Sequence, residues 1–208
     1  VCLVRRLVTQ LLHTVRADDF ERKLLAALVG QSLLEVTADA WACAIVCSQS
    51  SLLFTPREVA TPDPTHPHGD VDRLAVSLVE SPRARLRDVV LRDGGVVLGI
   101  SVLTTELAFS PPMPAPEVEI KGVTIPAGVE YSGVFSKPGR ASDSDPAAGR
   151  VVVDVGVELA TSAGRSVVLY TNAVGHFALV AVDNAPAADW WPDAFDREVL
   201  AAVPTGAA

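Results

Sequence analysis

The stretch LRDVVLRDGGVVLGISVLTTELAF, residues 86–109, decides the fold. It is rich in valine, leucine, isoleucine and threonine, which favour β-strands. At its centre lies Asp93-Gly94-Gly95, and these residue types suit the tight turns of β-hairpins. The sequence therefore predicts one strand over 86–92, a hairpin turn, a second strand over 96–104 and a short third strand over 106–109.

An earlier stretch, LLEVTADAWACAIVCSQSSLLFTP at residues 33–56, has the same rhythm. Each stretch reads as strand, turn, strand, small polar break and short apolar strand. Extended to residue 111, the later stretch ends like the earlier one in Phe-x-Pro, with Phe54 matching Phe109 and Pro56 matching Pro111. Two copies of this kind indicate a duplicated β-meander, and chance similarity between two β-rich stretches stays open as the alternative.

Apolar residues at helical spacing predict three or four helices, because the N-terminal segment is either one bent helix or two helices. The first runs along residues 3–15 and continues beyond Asp18 and Glu21, whose spacing is that of a capping box. The second is expected over 71–80, ending before Pro82. The third is expected at the C-terminus, over 193–203.

The expected fold class is α+β. We expect a mainly antiparallel, strongly curved or partly barrelled β-sheet with an N-terminal amphipathic helix and a short C-terminal helix. The domain prediction has three parts, with a proline-rich linker candidate at 111–117 and all parts packed as one domain. These parts are an N-terminal helical segment (1–30), a β-meander unit with one helix (31–110) and a second β-rich unit with the terminal helix (111–208).

Composition narrows the class of protein. The 208 residues carry a net charge of −8 and are 49% apolar. An acidic chain repels phosphate backbones, so we expect no nucleic-acid partner. No long uncharged apolar run occurs, so we expect no membrane partner. The odd cysteine count predicts a cytoplasmic location, and the excess of arginine over lysine indicates a GC-rich bacterium.

The loop DPTHPHGD at 63–70 is the most suggestive chemically. His66 and His68 lie two residues apart, so an extended loop could direct both imidazoles towards one metal ion. Asp63 and Asp70 flank them and could ligate or orient. The alternative is an ordinary surface loop, and no cofactor is predicted.

Three other groups are candidates for function. His176 precedes a predicted strand and is a weak candidate for acid–base catalysis, with a structural loop histidine as the alternative. Arg83, Arg85 and Arg87 alternate along an extended stretch and could bind an anion, or could simply face solvent. Trp190, Trp191 and Phe195 could anchor a partner protein, or could hold the last element against the sheet.

The function expected from these features is that of a non-enzymatic binding or interaction protein, immunity-like or accessory. Its partner would be another protein or a second copy of the chain. The alternative is a small-molecule-binding protein or metal-dependent enzyme that uses the cavity of a curved sheet. Whether the chain is an enzyme stays open, although the absence of common nucleotide-binding and hydrolase motifs favours a binding protein.

Overall fold

The computed structural model describes residues 12–60, 70–80, 86–109, 113–115, 118–120, 123–125, 128–130, 135–136, 149–171, 178–183 and 195–204. Within these residues the chain is mostly antiparallel β-sheet with one short helix. The elements are β1 (Leu12–Val15), α1 (Asp19–Ala26), β2 (Ser32–Ala38), β3 (Cys43–Cys47), β4 (Ser51–Ala60), β5 (Asp70–Leu78), β6 (Asp88–Phe109), β7 (Met113–Ala115), β8 (Val118–Ile120), β9 (Val123–Ile125), β10 (Gly128–Glu130), β11 (Phe135–Ser136), β12 (Gly149–Thr161), β13 (Ser166–Thr171), β14 (Ala178–Val182) and β15 (Asp196–Ala202).

The expected α+β class is wrong. The second expected helix is strand β5, and the C-terminal helix is strand β15. The first expected helix reaches into β1, and its residues 1–11 lie outside the described part. The described strands do not form a sheet closed into a barrel, so the partly barrelled alternative is wrong as well.

Strand β5 shows why the helical spacing misled. Its buried residues include Val71, Leu74 and Val76, but Asp72 and Arg73 between them are buried too. A strand covered on both faces lacks a regular alternation of polar and apolar residues, so periodicity alone identifies it poorly. Tertiary contacts therefore decide its conformation.

The described part of the main sheet follows the order β14-β13-β12-β6-β2-β3-β4-β5. Strands β1, β11 and β15 pair beside this path, with β12, β6 and β6 respectively. Strand β6 pairs with β2 through its first half and with β15 through its second half. The predicted hairpin within 86–104 is therefore wrong, because β6 is one continuous strand.

The turn residues of β6 still have the backbone expected of them. Asp93 has φ 51° and Gly95 has φ 85°, in the left-handed region that favours turn residues. Between Arg92 and Gly95 the strand has one residue more than the facing part of β2. This extra residue is a β-bulge, so the local turn chemistry redirects the strand without reversing it.

The chain divides into two compact units. The first comprises residues 1–14, 60–70 and 106–152. Its described pairings include β7 with β10 and β8 with β9. In the second of these pairings Ile120 lies opposite Val123. The expected three-part domain organisation stays a prediction.

The second unit comprises residues 15–59, 71–105 and 153–208. Its apolar core joins α1 to buried residues of eight strands. The largest are Leu25, Leu28, Leu33, Ile45, Leu52, Phe54, Ile100, Leu159 and Leu169. Helix α1 begins at the predicted capping box: Asp18 accepts from the Glu21 N–H at 2.8 Å, and Glu21 accepts from the Asp18 N–H at 2.9 Å.

Candidate functional site

Most of the residues predicted to carry function lie outside the described part of the chain. These are Asp63, His66, His68, His176, Arg83, Arg85, Trp190 and Trp191. Asp70 is the first residue of β5, but its side chain is not described. The metal, catalytic and basic-face hypotheses that rest on these residues stay predictions.

Two predicted residues are described with their side chains. Arg87 is exposed, just before β6. Phe195 is half-buried before β15, and its ring meets the ring of Tyr170 edge-on, with centroids 6.3 Å apart. Phe195 therefore packs against strand β13 of the sheet.

The described residues contain no group of three or more histidine, cysteine, aspartate or glutamate side chains placed to hold a metal ion. Cys43 and Cys47 of β3 are free thiols in the core. Burial raises the pKa of Cys43 to about 12 and that of Cys47 to about 11. Because the thiolate is the nucleophile and the metal ligand, these two thiols are unreactive at neutral pH.

A buried ion pair joins α1 to β5. Glu21 Oε2 accepts from Arg73 at 2.6 Å, and both side chains are more than nine-tenths buried. Glu21 Oε1 accepts from the Val76 N–H at 3.1 Å. Together with the capping-box bond from Asp18, these contacts give both carboxylate oxygens a partner. The cluster holds the helix on the sheet and offers nothing to a ligand.

A second charged cluster lies where α1, β12 and β15 meet. Buried Asp154 accepts from the Ala17 N–H at 2.8 Å and from Arg16 at 3.1 Å. Exposed Glu198 accepts from Arg22 at 2.8 and 3.0 Å and from Arg16 at 3.2 Å. All four charged groups have partners, so this cluster fastens β15 to the start of α1.

The pKa values of the two carboxylates in this cluster are shifted in opposite directions. Burial raises the pKa of Asp154, outweighing the Ala17 N–H and the two arginines that lower it. The hydrogen bond from Arg22 lowers the pKa of Glu198, which is largely exposed. The difference comes from desolvation, because both groups face the same arginines.

The outer face of β2 carries a different kind of polar group. Val36 of β2 points into the core, and its cross-strand partners Ile45 and Leu91 are also core residues. Successive side chains on a strand point to opposite faces. Glu35 and Thr37, on either side of Val36, therefore point to the outer face, yet both are buried.

A groove lies on this outer face, and we call it the β2–β6 groove. Its volume is about 630 Å³. Its lining comes from β2, β6 and the residue Leu86 before β6, all within the second unit. The lining residues are Leu34, Glu35, Thr37, Leu86, Val89, Arg92 and Asp93.

Bulges shape the groove. Leu34 is an extra residue of β2 relative to the paired part of β3. Val90, between Val89 and Leu91, is an extra residue of β6 relative to the paired part of β2. The bulge after Arg92 adds a third. Bulges often re-aim side chains beside functional sites. Here they leave Leu34 and Val89 exposed on the groove, each at 43% of full accessibility.

Thr37 is the unusual residue of the groove. Its side chain is only 2% exposed, and its hydroxyl oxygen Oγ1 has no hydrogen-bond partner. Buried polar atoms in folded proteins are nearly always paired, so such a group calls for an explanation. Its position in the lining of a groove of ligand size makes it a candidate binding contact.

Sequence reasoning missed this site. None of its polar lining residues was a candidate, because the groove joins positions about fifty residues apart in the chain. One signal was present: LLEVTA at 33–38 places Glu35 and Thr37 two residues apart, on one face of a strand. That pattern indicates a polar outer face and does not by itself indicate a binding site.

Comparison with protein-family models, with curated proteins and with solved structures gave no match. The described residues contain no helix with the length and apolar character needed to cross a membrane. The β2–β6 groove of the second unit is therefore the feature from which a function is inferred.

Proposed function

We propose that this chain is a non-enzymatic binding protein whose ligand site is the β2–β6 groove. The observation that carries the proposal is the buried, unpartnered hydroxyl of Thr37 in the lining of the groove. A ligand that bonds to this hydroxyl would remove a desolvation cost of about 1 to 3 kcal/mol that the free protein bears.

The size of the groove also supports the proposal. Small-molecule sites are typically clefts of about 300 to 1,000 Å³ with apolar walls and a few polar groups that orient the ligand. The groove has three apolar lining residues, Leu34, Leu86 and Val89, beside its polar groups. The free thiols Cys43 and Cys47 support a reducing compartment, and we propose the cytoplasm.

Nile red, an uncharged dye that fluoresces on apolar protein surfaces, tests the location of the site. Leu34→Asp places a charge in the groove. Leu98→Asp is the matched control, because Leu98 is a similarly exposed leucine (40%) of β6 that does not line the groove. We expect saturable dye binding in the native protein that Leu34→Asp reduces and Leu98→Asp preserves. Equal binding by both variants would refute the groove as the site.

Self-association is a second candidate function, favoured by strand β15. Among the described residues β15 pairs only with β6, and its Val199 is 70% exposed. A strand with one free edge can pair with the same strand of a second copy. We expect light scattering to detect a dimer that Val199→Asp dissociates, and a monomer at every concentration would contradict this candidate.

A further inference from the structure

The chemistry of the β2–β6 groove restricts the ligands that it can take, provided that the groove is the binding site proposed above. Its unpartnered polar group is a neutral hydroxyl, which can both donate and accept a hydrogen bond. Thr37 is almost fully buried, so a ligand group that reaches it must leave water. Leaving water is far more costly for a charged group than for an alcohol or an amide.

The charged residues of the groove do not favour a charged ligand. Glu35 and Arg92 are direct cross-strand partners, so opposite charges lie side by side in the lining of the groove. Asp93 is exposed at the bulge. The lining thus contains two acidic groups and one basic group, and its field is not dominated by one sign.

The remaining lining is apolar. Leu34 and Val89 are partly exposed in the absence of a ligand, and Leu86 packs with Ala42, Ala44 and Leu53 in a small apolar cluster. Covering exposed apolar surface provides a driving force that grows with the area removed from water. A ligand with an apolar body gains this, and its polar end reaches the enclosed Thr37 hydroxyl when the side chains that cover it move aside.

We infer that the β2–β6 groove binds a small uncharged amphipathic molecule. Its apolar body lies along Leu34, Leu86 and Val89, and its single alcohol or amide group forms a hydrogen bond with Thr37 Oγ1.

Three probes with the same alkyl chain test this inference: 1-octanol, octylamine and octanoate. At neutral pH they carry a neutral, a positive and a negative head group. Each is titrated into the ¹⁵N-labelled full chain, and the shifts of backbone amides locate the binding site. We expect 1-octanol to shift the amides of the groove and to bind about tenfold more tightly than either charged probe, a difference that desolvation of the charged heads readily supplies.

Two matched variants test the contact itself. Thr37→Val removes the hydroxyl and keeps the shape of the side chain. Thr171→Val is the control, because Thr171 Oγ1 is also buried without a partner but does not line the groove. We expect Thr37→Val to weaken 1-octanol binding by about threefold to tenfold, as for the loss of one neutral hydrogen bond, and Thr171→Val to leave it unchanged.

The outcomes separate the two proposals. If a charged probe binds in the groove as tightly as 1-octanol, or if Thr37→Val binds 1-octanol like the native protein, the ligand class is wrong and the binding site stands. If none of the three probes shifts the amides of the groove, both the ligand class and the proposed function are refuted.

Discussion

Glu21 and Thr37 are both polar side chains buried against the same sheet, at 5% and 2% exposure, but their surroundings differ completely. Glu21 accepts hydrogen bonds from Asp18, Arg73 and Val76, whereas the Thr37 hydroxyl has no partner. A buried group with every bond made stabilises the fold. A buried group with none made destabilises it, and its position in a groove suggests that a ligand completes it.

The largest effect is expected at Glu21. Glu21→Ala removes half of the capping box and leaves the buried Arg73 guanidinium without its carboxylate. Breaking a buried pair in this way costs about 3 to 5 kcal/mol. We expect chemical denaturation to show a loss of this size. A loss below about 1 kcal/mol would mean that the ion pair is not closed in solution.

The cluster of Asp154 and Glu198 gives the next effect, which depends on pH. Because the pKa of Asp154 is raised in the fold, its contribution to stability is largest in acid and is lost as the pH rises through the raised value. Because the pKa of Glu198 is lowered, its contribution is present at neutral pH and is lost as the pH falls through the lowered value.

The measurement is the free energy of unfolding of Asp154→Asn and Glu198→Gln across the acidic range. Relative to native protein, we expect Asp154→Asn to become less stable as the pH falls from neutral. We expect any loss of stability of Glu198→Gln, relative to native protein, to become smaller as the pH falls. If the free energies of unfolding of the two variants changed with pH in the same way, burial would not be the cause of the raised pKa of Asp154.

The core thiols provide a smaller test of burial. In a Cys2→Ser variant, which leaves only Cys43 and Cys47, we expect a thiol reagent at neutral pH to label neither residue in the native state. Both should react in denaturant. Rapid native labelling would show that β3 opens readily or that the two pKa values are not raised.

The sequence predicted the parts of this molecule that depend on neighbouring residues. The capping box of Asp18 and Glu21 is such a local feature, and it was confirmed. Strand β5 was mistaken for a helix because its conformation depends on distant contacts. Its Arg73 pairs with Glu21, 52 residues earlier in the chain.

The candidate site was beyond sequence reasoning for the same reason. The groove brings residues 34–37 together with residues 86–93, and bulges set which of their side chains point outwards. The predicted hairpin at Asp93-Gly94-Gly95 illustrates the limit. The sequence correctly indicated unusual backbone at this point, but the pairing of β2 along β6 turned it into a bulge.

The most direct test of the central claim is the free energy of unfolding of Thr37→Val without any ligand. If the hydroxyl is unpartnered in the free protein, the valine substitution removes a buried polar group without breaking any hydrogen bond. We expect the free energy of unfolding to stay the same or to rise by about 1 kcal/mol. A fall of about 1 kcal/mol or more would show that the hydroxyl stabilises the fold through a bond of its own, and would contradict its assignment to a ligand.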